Sequence, residues 1–372
     1  MITLLAAVAL APAVLTEKLE NGAWLVAIPM PGVRTLAAQT FLRTGSAFET
    51  EQAIGSAHLL EHLLFADGKA DDAAENAGLL LNATTYREFM RLHTEGPPKS
   101  WKEGAAAIGL LLRRPMEEFL YREMRVIGEE DALAKLDPDE LAHRSVWQRA
   151  AVGSPWARLP MGDLSRKAQG VGELFDTTVT GGNVVGVLAG DFDGTEALAF
   201  LKQIYAPIPK GSPTAVPALP VWATGLNGTY GSRYVAAASV AGYSDPPRYL
   251  AAEMAFDILT SPSRLHAEGL AAKSFLTPSS MGSVAMISFE AIDGAPGLAA
   301  RAKRAMAMPI SQLEFEESRA RVRARYSAEL AANRALATGL SVLFTGQAID
   351  FAGQIDKVSK ADVDAVAREL SK

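Results

Sequence analysis

The chain has 372 residues, room for about two domains of 150–200 residues that each bury a core. It is 49% apolar and 21% charged, with a net charge of −6 and no basic block, a balance that excludes nucleic acid as an expected partner. Cysteine is absent, which excludes disulfides, thiol catalysis and cysteine-ligated zinc together and leaves histidine and carboxylate to hold any metal.

In chain order, the first feature is the apolar run Leu4 to Leu15, with Ala-x-Ala patterns at Ala9-Leu10-Ala11 and Ala11-Pro12-Ala13. Its length suits a signal peptide over residues 1–15, and so an exported, periplasmic or extracellular protein. The alternative is a buried first strand of a cytoplasmic protein, because Met1-Ile2-Thr3 carries no Lys or Arg. No other stretch reaches the ~20 apolar residues of a membrane span, so none is expected after processing.

Ala23 to Pro29 and Leu36 to Leu42 read as strands around the turn Met30-Pro31-Gly32, which predicts a hairpin. A polar loop, Arg43 to Gly55, leads to a helix from Ser56 to Ala66 that Asp67-Gly68 ends. Leu79 to Leu92 alternates after Asn82 and reads as one strand. Helices follow over Trp101–Arg113, Met116–Leu136 and Asp139–Ala150. The apolar Asn183–Ala189 reads as a central strand, with a helix over Thr195–Tyr205 behind it. Five prolines between Pro207 and Pro220 forbid a helix or central strand there. The expected division is therefore 16–206, a linker over 207–222, and 223–372. In the second part, strands are expected over Tyr234–Ala241 and Val284–Ala291. Helices are expected over Arg248–Leu259, Ala295–Met306 and Ser311–Ala332, the last with a charged, solvated face. This alternation lacks regular βαβ spacing and predicts an α+β fold.

The segment His58-Leu59-Leu60-Glu61-His62 takes two of the five histidines. On a helix, His58, Glu61 and His62 leave one face within an arc of about 100°, so both imidazoles reach one ion while the glutamate points at its open side. The alternative is a polar stripe on a surface helix. Catalytic zinc takes three protein ligands and an open position, and without cysteine the third is a carboxylate or another histidine. The Met116–Leu136 helix offers Glu123 and Glu130, about 20° from alignment on a face shared with Val126 and Ile127. An unpaired carboxylate on an inward face is costly, and zinc would offset that cost. His93, His143 and His266 have no such partners and read as structural or surface residues.

The chain resembles the pitrilysin/insulinase family of inverted-motif zinc metallopeptidases, in which H-x-x-E-H replaces H-E-x-x-H. Further similarity lies in Leu19-Glu20-Asn21-Gly22, Gly45-Ser46-x-x-Glu49, Leu81-Asn82-Ala83-Thr84-Thr85, Gly190-Asp191 and Ser263-Arg264-Leu265. The resemblance implies two structurally related α/β-sandwich halves of the metallopeptidase type and a zinc endopeptidase acting on peptides or unfolded segments. It implies His58, His62 and Glu130 as zinc ligands, Glu61 as general base, and Glu123 as a supporting carboxylate. Asn82 and Ala83 would lie on an edge strand that pairs with the peptide substrate. Two departures stand out. The interval from His62 to Glu130 is shorter than in the family. Where the family's second half supplies a substrate-gripping Arg and Tyr, this chain has Ala272 and Lys273 after Gly269-Leu270-Ala271, and the Arg is missing. The chain thus resembles the zinc-bearing subunit of a processing-peptidase-like pair whose partner supplies Arg and Tyr. The alternatives are a homodimer, a non-catalytic subunit, or zinc hydrolysis of a non-peptide substrate.

Overall fold

The computed structural model describes residues 14–162, 170–294, 296–327 and 330–372. Of the expected signal segment, residues 1–13 lie outside the described residues, while Leu15 opens the first strand. The first part of the chain carries strands β1 (Leu15–Lys18), β2 (Trp24–Pro29), β3 (Leu36–Leu42), β4 (Leu80–Thr85), β5 (Met90–Gly96) and β6 (Val184–Gly190). Its helices are α1 (Ser56–Phe65), α2 (Lys69–Asn76), α3 (Trp101–Leu111), α4 (Leu120–Ala134), α5 (Pro138–Ala150), α6 (Val171–Thr178) and α7 (Gly194–Tyr205). The second part carries β7 (Gly228–Tyr230), β8 (Arg233–Ala241), β9 (Leu270–Phe275) and β10 (Gly282–Ala291). With them run α8 (Pro246–Leu259), α9 (Pro262–His266), α10 (Leu298–Ala307), α11 (Gln312–Arg325), α12 (Ala331–Thr345), α13 (Phe351–Gln354) and α14 (Lys360–Ser371). The fold is α+β with two sheets. Among the described residues, no helix is long and apolar enough to cross a membrane.

Strand β6 (VVGVLAG) is buried along its whole length, and a strand apolar on both faces belongs at a sheet centre. It lies between β2, to which it runs parallel, and β3, to which it runs antiparallel, in the order β1-β2-β6-β3-β5-β4. The expected hairpin of β2 and β3 is therefore wrong. The turn at Met30-Pro31-Gly32 carries the chain over β6 instead. This order leaves β4 as an edge strand, beside α1. The second sheet runs β7-β8-β10-β9, all antiparallel.

The single strand expected over Leu79–Leu92 is two strands, β4 and β5, joined by a turn over residues 86–89 in which Tyr86 N–H donates to Phe89 O. Nothing in Tyr86-Arg87-Glu88-Phe89 advertises a turn, since Gly, Pro, Asn and Asp are all absent. Tertiary contacts hold it. The Arg87 guanidinium stacks 3.6 Å from the Trp147 ring centroid and donates through Nε to Trp156 O. Glu88, buried, accepts from Ser280 N–H at 2.8 Å and from the Ser280 hydroxyl. Gly45, at φ +149, lets residues 46 and 47 donate to Tyr86 O and Arg87 O, because a Cβ there would stand 2.3 Å from Tyr86 O.

The helix expected over Ser311–Ala332 also divides. Helix α11 ends at Arg325, and the apolar α12 begins at Ala331. The α11 charges are more than a solvated face: Arg321 and Arg325 both pair with Asp257 on α8. Helix α12 crosses the first sheet, against β3 and β6. At Gly339 the approach is so close that a Cβ would come within 2.2 Å of the Phe41 ring and 2.9 Å of Val187. Conversely, Ala142, Val146, Trp147 and Ala150 of α5 pack on Val235, Ala237, Val284 and Met286 of the second sheet. Each sheet is thus covered on one face by a helix from the other part of the chain.

Asp139, at the start of α5, anchors this exchange. Its buried carboxylate accepts from Arg233 on β8 and Ser288 on β10, each at 2.7 Å, and pairs with Lys273 on β9 at 2.8 Å. Burial pushes its pKa up, but the bonds from Arg233, Lys273 and Ser288 outweigh that and hold it at about 2. A depressed carboxylate pKa contributes stability above the unfolded value of about 3.9 and loses it as pH falls toward 2. Glu49 performs a comparable task for α1. Its buried carboxylate accepts from Gly55 N–H at 2.8 Å and Ala57 N–H at 2.9 Å, satisfying amides that the first turn of α1 leaves open.

Asp139→Asn is expected to lower stability at pH 7 and to flatten the stability curve between pH 4 and 2, read by urea denaturation across that range. Glu49→Ala, which strands two amides, is expected to lower stability by about 2–3 kcal/mol in the same assay.

Candidate metal centre

Helix α1 is amphipathic in an unusual sense. Leu59, Leu60, Leu63 and Leu64 are buried in the core beneath it, and His58, Glu61 and His62 face α4 and β4. Across the gap, Glu130 of α4 places Oε2 at 3.6 Å from His58 Nε2 and 3.4 Å from His62 Nε2. These three residues form the group among the described residues that could hold a metal ion. Two donors that each bind zinc at 2.0–2.1 Å with tetrahedral angles stand about 3.3–3.4 Å apart. The two distances to Glu130 are close to that value, and all three donor atoms lie within 4.8 Å of one another.

Glu123 lies one heptad before Glu130 and is buried. Its Oε2 stands 3.3 Å from His62 Nδ1, the nitrogen that faces away from Glu130. A carboxylate at that nitrogen fixes the tautomer and leaves Nε2 as a lone-pair donor. Arg122 holds Glu123 in turn, donating through Nε to Glu123 Oε1 at 2.7 Å and through Nη2 to Ala66 O at 2.6 Å. Arg122 thus ties α4 to the end of α1.

Glu61 is held by Thr85, whose hydroxyl donates to Oε2 at 2.5 Å. Burial pushes the Glu61 carboxyl upward, and the Thr85 bond and the adjacent His62 pull it back. Asn82 and Ala83 lie on the β4 edge, and both line a cavity of about 270 Å³ with Glu61, His62, Glu123 and Glu130. Ala83 also lines a neighbouring cleft of about 580 Å³, shared with His58, Glu61, residues 84–87, Glu140, His143 and Arg144 of α5, and Phe275 to Pro278 of the second part.

All seven residues singled out from sequence therefore surround one place. Three residues were missed, one of them Arg122, the neighbour of Glu123 on α4. Thr85 is two positions along β4 from Ala83 and so on the same strand face, which alternation alone would have shown. His143 was read as structural or surface and instead lines the cleft, a placement no local signal carries. The departure in the second part is visible too: Ala272 and Lys273 lie on β9, and the Lys273 ammonium is committed to Asp139.

A model of the insulinase family (Peptidase family M16) matches residues 27–106. An uncharacterized zinc protease of Rickettsia bellii (strain RML369-C) is 29% identical over 151 residues, covering 37% of this chain and 37% of the relative. The chain spans half or less of the length of the curated relatives it matches. Among solved structures, a protease from Helicobacter pylori superposes with a TM-score of 0.80 at 17% identity, over 97% of each chain. A peptidase M16 inactive domain from Pseudomonas fluorescens gives 0.75 at 18% identity, over 95% of this chain and 94% of the other. The family match spans the His58–His62 helix, the sequence is similar to zinc proteases over part of its length, and the fold is shared with peptidase structures along nearly the whole chain.

Proposed function

We propose that the chain is a zinc metalloendopeptidase that hydrolyses peptides or unfolded polypeptide segments. The observation that carries this reading is the convergence of His58, His62 and Glu130, whose donor atoms lie within 4.8 Å of one another, with the Glu61 carboxylate beside them. His58 Nε2, His62 Nε2 and Glu130 Oε2 would hold the ion, which when bound supplies Lewis-acid activation of water and of the scissile carbonyl. Glu61 accepts the proton of the attacking water and passes it to the leaving nitrogen. Thr85, donating to Glu61 Oε2, fixes the carboxylate in that role. Glu123 orients His62, and Arg122 orients Glu123. The open edge of β4 at Asn82 and Ala83 offers main-chain groups to an extended peptide, which supports β-strand addition as the binding mode. A folded protein has few such free strands, which favours unfolded substrates.

A second reading is favoured by one specific observation. Ala272 and Lys273, on β9, stand where the family's Tyr would follow Gly269-Leu270-Ala271, the preceding Arg is missing, and a structural neighbour is an inactive domain. Under this reading the chain needs a partner subunit, or a second copy, to complete the site.

An unstructured quenched peptide should be cleaved by the zinc-loaded chain and protected by a chelator. Glu61→Gln is expected to keep stoichiometric zinc while kcat falls by about 10²–10⁴-fold, and His58→Ala to lose both metal and turnover. Full activity in Glu61→Gln would overturn the mechanism. Bound zinc with no cleavage by the wild-type chain alone would favour the partner-dependent reading.

A further inference from the structure

We propose that His143 of α5 is a substrate-binding residue, donating its Nδ1–H to a backbone carbonyl oxygen of an extended peptide laid along β4. The proposal rests on the reading of the cleft as a peptide site, and it concerns the wall opposite the β4 edge. Four residues with side-chain nitrogens line the 580 Å³ cleft: His58, Arg87, His143 and Arg144. His58 belongs to the metal group. Arg87 is sealed beneath Trp147 and donates to Trp156 O. Arg144 is spent on two carboxylates, through Nε to Glu140 Oε1 at 2.8 Å and through Nη1 to Asp131 Oδ1 at 2.7 Å. Arg87 Nη2 also has no hydrogen-bond partner, but it is buried beneath Trp147, which leaves His143 as the more accessible side chain with a donor to offer.

Its geometry fixes which nitrogen that is. The indole N–H of Trp147 is a donor only, and it stands 3.0 Å from His143 Nε2, so Nε2 accepts and the ring proton resides on Nδ1. Nδ1 lies 3.7 Å from Glu140 Oε2, a loose contact that a substrate carbonyl at Nδ1 would displace or share. The ring is stacked on Phe275 of β9, with centroids 5.1 Å apart and planes at 19°. It is therefore immobilised from both sides before any ligand arrives, so gripping a carbonyl costs little ordering. The Phe275–Pro278 wall offers no arginine or tyrosine, and Lys273 is held by Asp139. The donor for the substrate backbone comes instead from the first part of the chain.

The two ring nitrogens can be separated by substitution. An Asn side-chain amide reaches the position of Nδ1 and keeps the donor while losing the bond from Trp147. Gln reaches the position of Nε2 and does the reverse, and Phe keeps only the stack on Phe275. Each is introduced into the zinc-loaded, full-length Glu61→Gln chain, and binding of a fluorescein-labelled unstructured peptide is read by anisotropy, with near-ultraviolet circular dichroism as the check on folding. His143→Asn is expected to bind within about twofold of its parent, and His143→Gln and His143→Phe to bind about fivefold or more weakly, the loss of one hydrogen bond. Equal affinities in all three, a retained Gln with a weakened Asn, or no peptide binding by the parent would each overturn the proposal. Wild-type hydrolysis of the same peptide is measured in parallel. Absent cleavage with the predicted order of affinities would remove the reading of the chain as a peptidase active by itself and leave His143 in place. Cleavage with no dependence of binding on His143 would do the opposite.

Discussion

A single helix cannot close a three-ligand site with an open position: its i, i+4 pair supplies two donors from one face, and the third has to come from another element at a fixed distance. Everything around the α1–α4 gap serves that spacing. Glu49 fixes the start of α1, and Arg122 ties the end of α1 to the beginning of α4. Arg144 reaches from α5 to Asp131, the residue next to Glu130, so the far end of α4 is held as well. The charged side chains around the centre act as struts between the helices.

The same reasoning explains why the two parts of the chain are bound so closely. The cleft has one wall from β4 and α1, a second from α5, and a third from residues 275–278. Its width depends on contacts between parts distant in sequence. Glu88 grips Ser280, Asp139 grips three strands of the second sheet, and His143 stacks on Phe275. The traded helices α5 and α12 supply the apolar mass behind these polar links, burying side chains that each contribute about 1.5–3 kcal/mol.

What could be read from sequence follows from where the information resides. The shared face of His58, Glu61 and His62 and the aligned Glu123 and Glu130 are local patterns, a period of 3.6 that survives without knowledge of neighbours, whereas the edge strand at Asn82 and Ala83 was implied only by the family resemblance. The central position of β6 was legible from its uninterrupted apolar run. Its partners were not, because pairing is decided by competition among strands, and the short turn at Met30-Pro31-Gly32 suggested the wrong winner. The bend at Tyr86–Phe89 was hidden because its stabilisers, Trp147 and Ser280, lie about 60 and 190 residues away. Helix α12 was missed for a related reason: the sheet that buries ten of its fifteen residues is far away in sequence. His143 carries no signal until α5 is folded against the second sheet.

The reciprocal placement of α5 and α12 has a bearing on how the polypeptide tolerates being cut. The stretch between Ile208 and Asn227 forms no helix or strand and is the natural place for a nick. Neither fragment would then be a free-standing unit, for each would present the other with a missing wall: the first would leave Val146 and Trp147 bare, and the second would leave Leu340 without the sheet it covers. Two such pieces would behave as complementary halves of one molecule, soluble only as a pair and reassembling by mutual templating.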